Sequence, residues 1–167
     1  MFLLYFAAHL FNLAHIFGFG LKKSEKMGIK YLSELELKFN GRFEEKIFKK
    51  VVKLNSILQN FVCNSFSLLH DRVNNEVELQ RNLLYFLTTA LYDDIIDGQK
   101  MSTSALDAMF YNPESARPIN FEESVLVYIH LQLINQVPDK RAYWDVIDKI
   151  HIAQKDSIQQ FRMDHRF

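Results

Sequence analysis

Apolar residues recur at intervals of three and four positions along most of this chain, and this spacing constrains the fold more than any other feature. The longest run extends from Phe43 to about His70, and a second runs from about Glu76 to Asp97. A spacing of three and four brings side chains onto one face of an α-helix. The pattern therefore predicts two long amphipathic helices in the middle of the chain.

Further helices are predicted on both sides of this pair. With only five Gly and three Pro, the sequence has few turn signals, and no segment shows convincing strand character. The sequence therefore predicts an all-α fold, an antiparallel helical bundle. After a loop near Lys26 to Gly28, the remaining predicted helices run from Tyr31 to Asn40-Gly41, from Ser102 or Ser104 to Phe110, from Phe121 to Gln136, and from Pro138 to about Phe161.

Composition narrows the range of partners and compartments. Twenty Lys and Arg balance twenty Asp and Glu, so no basic field is available to gather phosphate backbones, and nucleic acid is not an expected partner. The single Cys63 allows no intrachain disulfide and no multi-cysteine metal site, which favours a reducing cytoplasm. A length of 167 residues suits one domain with a substantial core. Whether the chain forms homo-oligomers stays open.

The first twenty-one residues contain no Asp, Glu, Lys or Arg. A helix of that length would reach across a bilayer, but polar His and Asn residues inside it argue against a membrane span. Three interpretations stay open: a buried or membrane-apposed helix, a membrane anchor, or a non-native extension ahead of a start at Met27. The predicted organisation is thus an apolar N-terminal helix over residues 1–21, followed by one helical domain over residues 22–167.

A cluster of aspartates at the end of the second long helix carries the most chemical information. Asp93 and Asp97 lie one turn apart on a helix, and Asp94 is about 100° round from Asp93. The C-terminal end of a helix already carries partial negative charge, so three carboxylates there repel one another and the helix dipole. Clustered carboxylate oxygens are ligands that Mg²⁺ prefers. The cluster therefore predicts a cation site, with Lys100 as an alternative source of positive charge.

The segment Tyr92-Asp93-Asp94-Ile95-Ile96-Asp97, which follows an apolar helix, resembles the DDxxD motif of class I isoprenoid synthases. This all-α family includes prenyl diphosphate synthases, squalene and phytoene synthases, and terpene cyclases. The resemblance implies that Asp93 and Asp97 bind Mg²⁺, which grips an isoprenoid diphosphate, and that Asp94 is a supporting carboxylate. It also implies an aromatic-lined cavity that shelters an allylic cation, for which fifteen Phe are available.

Two departures from the family pattern refine this expectation. No Arg follows the motif until Arg117, which disfavours a chain-elongating synthase and favours a cyclase-like or squalene/phytoene-synthase-like relative. The family's second metal motif, normally far downstream, has no match in the seventy residues after Asp97. We therefore expect a bundle that is incomplete at its C-terminus, as an N-terminal fragment or a reduced relative, with doubtful catalytic activity.

Other candidate residues have simpler explanations. The nearest acidic pair downstream, Asp145 and Asp148, is predicted to lie on the solvent side of the last helix. The His70-Asp71 pair resembles ligands of HD-type phosphohydrolases, but a helix end followed by a turn explains it. Cys63 is expected to be a small core residue. The competing function is a non-catalytic helical interaction module, membrane-apposed through residues 1–21.

Overall fold

The computed structural model describes residues 20–98, 102–137 and 139–164, and no strand occurs within these ranges. The predicted all-α fold is confirmed, whereas its assignment to the isoprenoid-synthase type stays a prediction. The regular elements are α1 (Leu21–Lys38), α2 (Glu45–Leu58), a π-helical segment (Gln59–Cys63), α3 (Asn64–Leu69), α4 (Glu76–Asp97), α5 (Thr103–Tyr111), α6 (Phe121–Gln136) and α7 (Lys140–Asp164).

The chain divides into two compact units, and the division falls inside α4. The N-terminal unit runs to Phe86, and the C-terminal unit begins at Leu87. Each has its own buried residues and hydrogen bonds. The prediction of one domain over residues 22–167 stays a prediction.

In the N-terminal unit, α1 and α2 pack side by side in opposite directions. The side-chain amide of Asn55 donates to the carbonyl of Ser24 over 2.7 Å, and further along the pair the backbone of Val52 lies beside Gly28. At the connection, the N–H of Phe43 donates to a carboxylate oxygen of Glu36 over 2.9 Å. In these three contacts, residues later in α1 lie beside residues earlier in α2 or just before it, so the two helices are antiparallel.

The predicted loop at Lys26 to Gly28 is wrong, because α1 continues through these residues. The buried face of α1 carries Ser24, Gly28, Leu32 and Leu35, at intervals of three and four. Two of these four residues are small rather than apolar, so a search for apolar spacing detects only the second half of the helix. Small residues here let the backbones of α1 and α2 approach closely, which offsets the low helix propensity of glycine.

The long run from Phe43 to His70 is helical as predicted. In its second half, however, the buried face carries polar residues rather than the predicted apolar ones. A π-helical segment interrupts the α-helix, and the residues buried around it are polar: Asn55, Gln59, Asn60 and Ser67. Phe61, Phe66 and Leu69, in contrast, are exposed. The prediction that apolar residues line the core along the whole run is therefore wrong beyond Leu54. A ladder of side-chain hydrogen bonds replaces apolar packing there.

Two helix ends in the N-terminal unit depend on residues with left-handed backbone. Asn40 has φ 47°, and the following N–H of Gly41 donates back to the carbonyl of Glu36 over 3.0 Å. Asp71 has φ 53°, and the N–H of Arg72 donates to the carbonyl of Ser67 over 3.0 Å. Both ends are Schellman-type caps, which satisfy carbonyls that the helix leaves unpaired. The predicted helix stop at Asn40-Gly41 and the predicted turn after His70 are confirmed.

Helix starts in the C-terminal unit follow local capping rules. The hydroxyl of Ser102 accepts from the N–H of Ala105 over 3.2 Å, which confirms Ser102 as the cap of α5. Asn120 accepts from the N–H of Glu123 over 2.9 Å, and Glu123 returns the contact by accepting from the amide of Asn120 over 2.8 Å. Both contacts of this pair use the side chain of Asn120, and Glu123 also accepts from the backbone N–H of Ile119 over 2.8 Å, so the pair caps the start of α6.

The predicted N-terminal helix over residues 1–21 lies almost wholly outside the described residues. Within the described ranges, no helix combines the length and the apolar content that a membrane crossing requires. The longest, α7, has 25 residues but carries charged side chains throughout. The interpretations of residues 1–21 therefore stay predictions.

The left-handed residue Asp71 provides a test of this fold description. Because an L-residue at positive φ is strained and glycine is not, Asp71→Gly should be neutral or stabilising, whereas a β-branched Asp71→Val should destabilise by about 1–2 kcal/mol. Urea unfolding of both variants measures the difference. Equal stabilities of the Gly and Val variants would show that the chain does not turn at Asp71 as described.

Candidate functional site: the aspartate turn and the buried histidine network

The last turn of α4, residues 93–97, is the predicted metal site and is called the aspartate turn below. Most of the helix leading into it is buried, from Leu83 to Ile96, including Leu87 and Leu91. Asp93 and Asp94 are half-buried, so they lie at the edge of the buried face. Ile95 and Ile96, between the carboxylates, are buried. The turn is therefore anchored by its apolar residues while two of its carboxylates keep access to solvent.

The electrostatics of the aspartate turn are unfavourable in the helix itself. The last turn of α4 contains no basic residue, and the N–H of Gly98 donates to the carbonyl of Asp94 over 3.0 Å. The side chain of Asp97, and Lys100 as a whole, lie outside the described part of the structure. Among the described residues, no group of three or more His, Cys, Asp or Glu side chains could hold a metal ion. The three-aspartate magnesium site thus stays a prediction.

A buried histidine lies at the centre of a hydrogen-bonded chain in the same unit. His151 of α7 is fully buried, and its Nδ1 is hydrogen-bonded to the hydroxyl of Tyr92, the residue before Asp93. Its Nε2 lies 2.6 Å from Oδ1 of Asp107 on α5. Lys155, one turn further along α7, donates to both oxygens of Asp107 over 2.8 and 2.7 Å. We call Tyr92, His151, Asp107 and Lys155 the His151 network.

The partners of His151 define which ring nitrogen carries the proton. Asp107 can only accept while it is ionised, so Nε2–H donates to it, and Nδ1 then accepts from the hydroxyl of Tyr92. Burial, and then the negative charge of Asp107, raise the pKa of Tyr92 well above its ordinary value, so the hydroxyl keeps its proton. Partial burial works to raise the pKa of Asp107, but the hydrogen bonds from Lys155 and His151 and the positive charge of Lys155 outweigh it and lower that pKa. Every member is therefore satisfied.

Aromatic stacking holds the same region together. The ring of Phe110 on α5 lies between two histidine rings, with centroids 4.3 Å from His151 and 4.7 Å from His130. Nε2 of His130 donates to the carbonyl of Phe110 over 3.0 Å, and its Nδ1 accepts from the hydroxyl of Tyr143 over 3.0 Å. Burial lowers the pKa of His130 to about 4, so the ring is neutral at physiological pH. Trp144 packs edge-on against both Phe110 and His130.

This arrangement positions residues rather than binding a substrate directly. The void beside Phe110 and His130 holds only about 10 Å³, which is too little for a ligand. What the network does is fix the end of α4. Tyr92 is tied through His151 to α7 and through Asp107 to α5, and the peptide after Tyr92 begins the aspartate turn. The site can therefore present Asp93 and Asp94 on a rigid support.

The sequence interpretation missed the His151 network, although a signal for it exists. His151 follows Ile147 by four residues, and His130 follows Leu126 by four, so both histidines occupy core positions of their helices. A polar residue at a core position indicates a buried partner. The partners lie 44 and 59 residues away from His151, so only the folded chain identifies them.

The other candidate residues match their simpler explanations in part; Cys63, expected to be a core residue, is not in the core. Asp145 is exposed as predicted, whereas Asp148 accepts from the hydroxyl of Tyr111 over 2.5 Å at the surface. His70 is exposed at the end of α3. Cys63 is half-buried, and burial raises the pKa of its thiol, which disfavours the reactive thiolate.

Comparisons with known proteins do not supply a family for this chain. No protein-family model, no curated protein and no solved structure matches it. The resemblance to class I isoprenoid synthases therefore depends on the segment Tyr92 to Asp97 and on its helical surroundings.

Removal of the Tyr92 hydroxyl tests the His151 network. Tyr92→Phe leaves Nδ1 of a fully buried histidine without a donor, so we expect a loss of about 1–3 kcal/mol in the free energy of unfolding. The matched control is Tyr111→Phe, which removes a hydroxyl from an exposed pair and should cost no more than about 1 kcal/mol. Denaturant unfolding of the three proteins measures both. Equal losses would contradict the central role of His151.

The lowered pKa of His130 predicts a pH dependence of stability. Its pKa falls from an ordinary 6.5 to about 4 in the folded chain, so the stabilisation is fully present above about pH 6.5 and is lost progressively as the pH falls from there to about 4. Between pH 7.5 and 4.5 the wild type should lose roughly 2 kcal/mol more than His130→Asn. His70→Asn, at an exposed position, should follow the wild type. If the stability of His130→Asn fell with pH in parallel with that of the wild type, His130 would not be the source of this pH dependence.

Proposed function

We propose that the aspartate turn binds Mg²⁺ and, through it, the diphosphate of an isoprenoid substrate. One observation carries the proposal: most residues of α4 from Leu83 to Ile96 are buried, and in its last turn the described residues that keep access to solvent are the carboxylates Asp93 and Asp94. Carboxylates there oppose the helix dipole, which a bound cation would offset. The match of residues 92–97 to the DDxxD motif supports the choice of ligand.

The chemistry of such a site is metal-assisted loss of diphosphate. When bound, Mg²⁺ would neutralise charge that develops on the leaving diphosphate oxygens. Asp93 and Asp97 would hold the ion, with Asp94 in support. The residues on the buried side of α4 would keep the turn in place, because the hydroxyl of Tyr92 is held by His151. Within the class, a cyclase-like or squalene/phytoene-synthase-like reaction fits the absence of arginine between Asp97 and Arg117.

Binding and turnover are separate parts of the proposal. Ionisation of an allylic diphosphate requires the leaving group to be held from both sides and water to be excluded. Since no group of three or more His, Cys, Asp or Glu side chains in the described part of the chain could hold a metal ion, no partner site opposite the aspartate turn is found there. We therefore propose that these 167 residues bind an isoprenoid diphosphate with Mg²⁺ but form negligible product unless a late acidic helix is supplied.

Thermal unfolding tests the binding step. Millimolar Mg²⁺ with farnesyl diphosphate should raise the melting temperature, because a ligand that binds only the folded chain stabilises it. Asp93→Asn combined with Asp97→Asn should abolish the rise. The matched control is Asp145→Asn with Asp156→Asn, which removes the same charge from exposed positions on α7 and should keep the rise. An equal rise in all three proteins would exclude the site.

Product formation tests the second part. The purified chain is incubated with Mg²⁺ and radiolabelled geranyl, farnesyl or geranylgeranyl diphosphate, and the organic-phase product is counted against Asp93→Ala. We expect no product above that control. Robust turnover that depends on Asp93 would show that one acidic cluster is sufficient, and the account of the incomplete site would then be wrong.

A second candidate function, a helical interaction module, is favoured by a different observation. The surface formed by the π-helical segment, α3 and the loop before α4 exposes large apolar side chains, among them Phe66 (62%), Leu69 (79%) and Val73 (81%). Exposed apolar residues that cluster along the chain indicate an interaction surface. If this surface mediates self-association, sedimentation should detect it in the wild type. The double variant Phe66→Ser, Leu69→Ser should abolish this self-association, whereas Asp93→Asn should leave it unchanged. Absence of any association by the wild type would remove this candidate.

A further inference from the structure

The N-terminal unit contains a pocket of about 310 Å³ that is separate from the aspartate turn. It is bounded by α1, the π-helical segment, α3, the loop that follows and the start of α4. Apolar side chains on its wall include Met27, Leu68, Val73 and Leu79. Its volume lies within the range of pockets that bind small molecules.

One wall of this pocket is a rigid ladder of hydrogen-bonded side chains. Asn60, fully buried, donates to the hydroxyl of Ser24 over 3.0 Å and accepts from Asn64 over 3.2 Å. Asn74 donates to Asn64 over 2.9 Å and accepts from the hydroxyl of Ser67 over 2.6 Å. The amides of Asn60, Asn64 and Asn74 bind one another and their neighbours, so the wall is organised before any ligand arrives.

The π-helical segment is what makes this ladder geometrically feasible. In a π-helical turn the backbone hydrogen bond joins residues five apart, so side chains five positions apart come close together. The amide of Gln59 accordingly reaches Asn64 over 3.3 Å, and Asn64 in turn meets Asn60. Such interruptions of an α-helix occur frequently at functional sites.

The charged residues of the pocket are of one sign. Lys23 and Arg72 line it, and no Asp or Glu is among its described lining residues. One guanidinium nitrogen of Arg72 donates to Glu78 over 2.5 Å, which leaves the other nitrogens of the fork for a second acceptor. The hydroxyl of Ser24 accepts from Asn60 and retains its own proton as a further donor.

We infer that this pocket binds a small amphipathic anion, whose carboxylate or phosphate end pairs with Lys23 and Arg72 and whose apolar end lies against Met27 and Leu79. The two cations select the charge, and the apolar wall selects a short hydrocarbon chain over a fully polar anion. The inference is independent of the proposed function, since it involves neither Mg²⁺ nor the aspartate turn.

Methyl NMR of the full chain tests this inference. The sequence contains five methionines, and among the described residues Met27 lines the pocket, so Met27→Leu identifies its ¹³C-methyl signal. Hexyl phosphate and hexanoate are titrated separately in metal-free buffer, with hexanol and hexylammonium as neutral and cationic analogues. The two anions distinguish a phosphate from a carboxylate ligand. Repetition in the Asp93→Asn, Asp97→Asn background separates this test from that of the metal site.

We expect a saturable shift of the Met27 signal with at least one anion and none with hexanol or hexylammonium. Lys23→Gln and Arg72→Gln should each weaken binding at least about fivefold, since each removes a charged contact. Lys53→Gln, on the exposed surface of α2, should have no effect, and Glu78→Gln should retain binding because it leaves the guanidinium in place. Equal binding of hexanol, unchanged affinity in both cation variants, or no shift with either anion would overturn the inference.

Discussion

A single buried histidine ties together three helices of the C-terminal unit. Because His151 is fully buried, both of its ring nitrogens need partners, and they find them in Tyr92 on α4 and Asp107 on α5. Lys155 then neutralises Asp107 from the same side. A buried polar network of this kind is stabilising only when every member is satisfied, and here each member of the His151 network has its partner. The position of the end of α4 follows from this interaction.

This constraint explains how the chain can keep carboxylates where the helix dipole disfavours them. The aspartate turn has little freedom to rotate away, since Tyr92 is fixed before it and Ile95 and Ile96 are buried within it. In the proposed function, a bound cation would relieve the repulsion among the carboxylates without rearrangement of the helix. In the proposed function, the network therefore has a positioning role, and the ion is held by the aspartates.

The parts of the fold that local physics determines were predictable from the sequence. The extents of α4 and α6, the Ser102 cap and the stop at Asn40-Gly41 all follow from apolar spacing and capping residues. The first half of α1 was missed because small residues, Ser24 and Gly28, form its buried face. The second half of the run after Leu54 was misjudged because asparagine and glutamine side chains are buried there through hydrogen bonds with one another, which periodicity of apolar residues cannot detect.

The candidate site likewise has one part that local sequence determines and one part that depends on tertiary packing. The position of three aspartates in the last turn of one helix could be predicted, because it follows from their spacing on α4. The His151 network could not be predicted, because it joins residues that are 44 to 59 positions apart and depends on how three helices pack.

The most direct test of metal binding at the aspartate turn is paramagnetic relaxation. Mn²⁺ replaces Mg²⁺, and the isotope-labelled chain is measured in the presence of diphosphate. The account predicts that the backbone amides of residues 92–97 broaden first and that diphosphate enhances this effect. Broadening centred on other acidic surfaces such as Asp145 and Asp156, or no selective broadening at all, would contradict it.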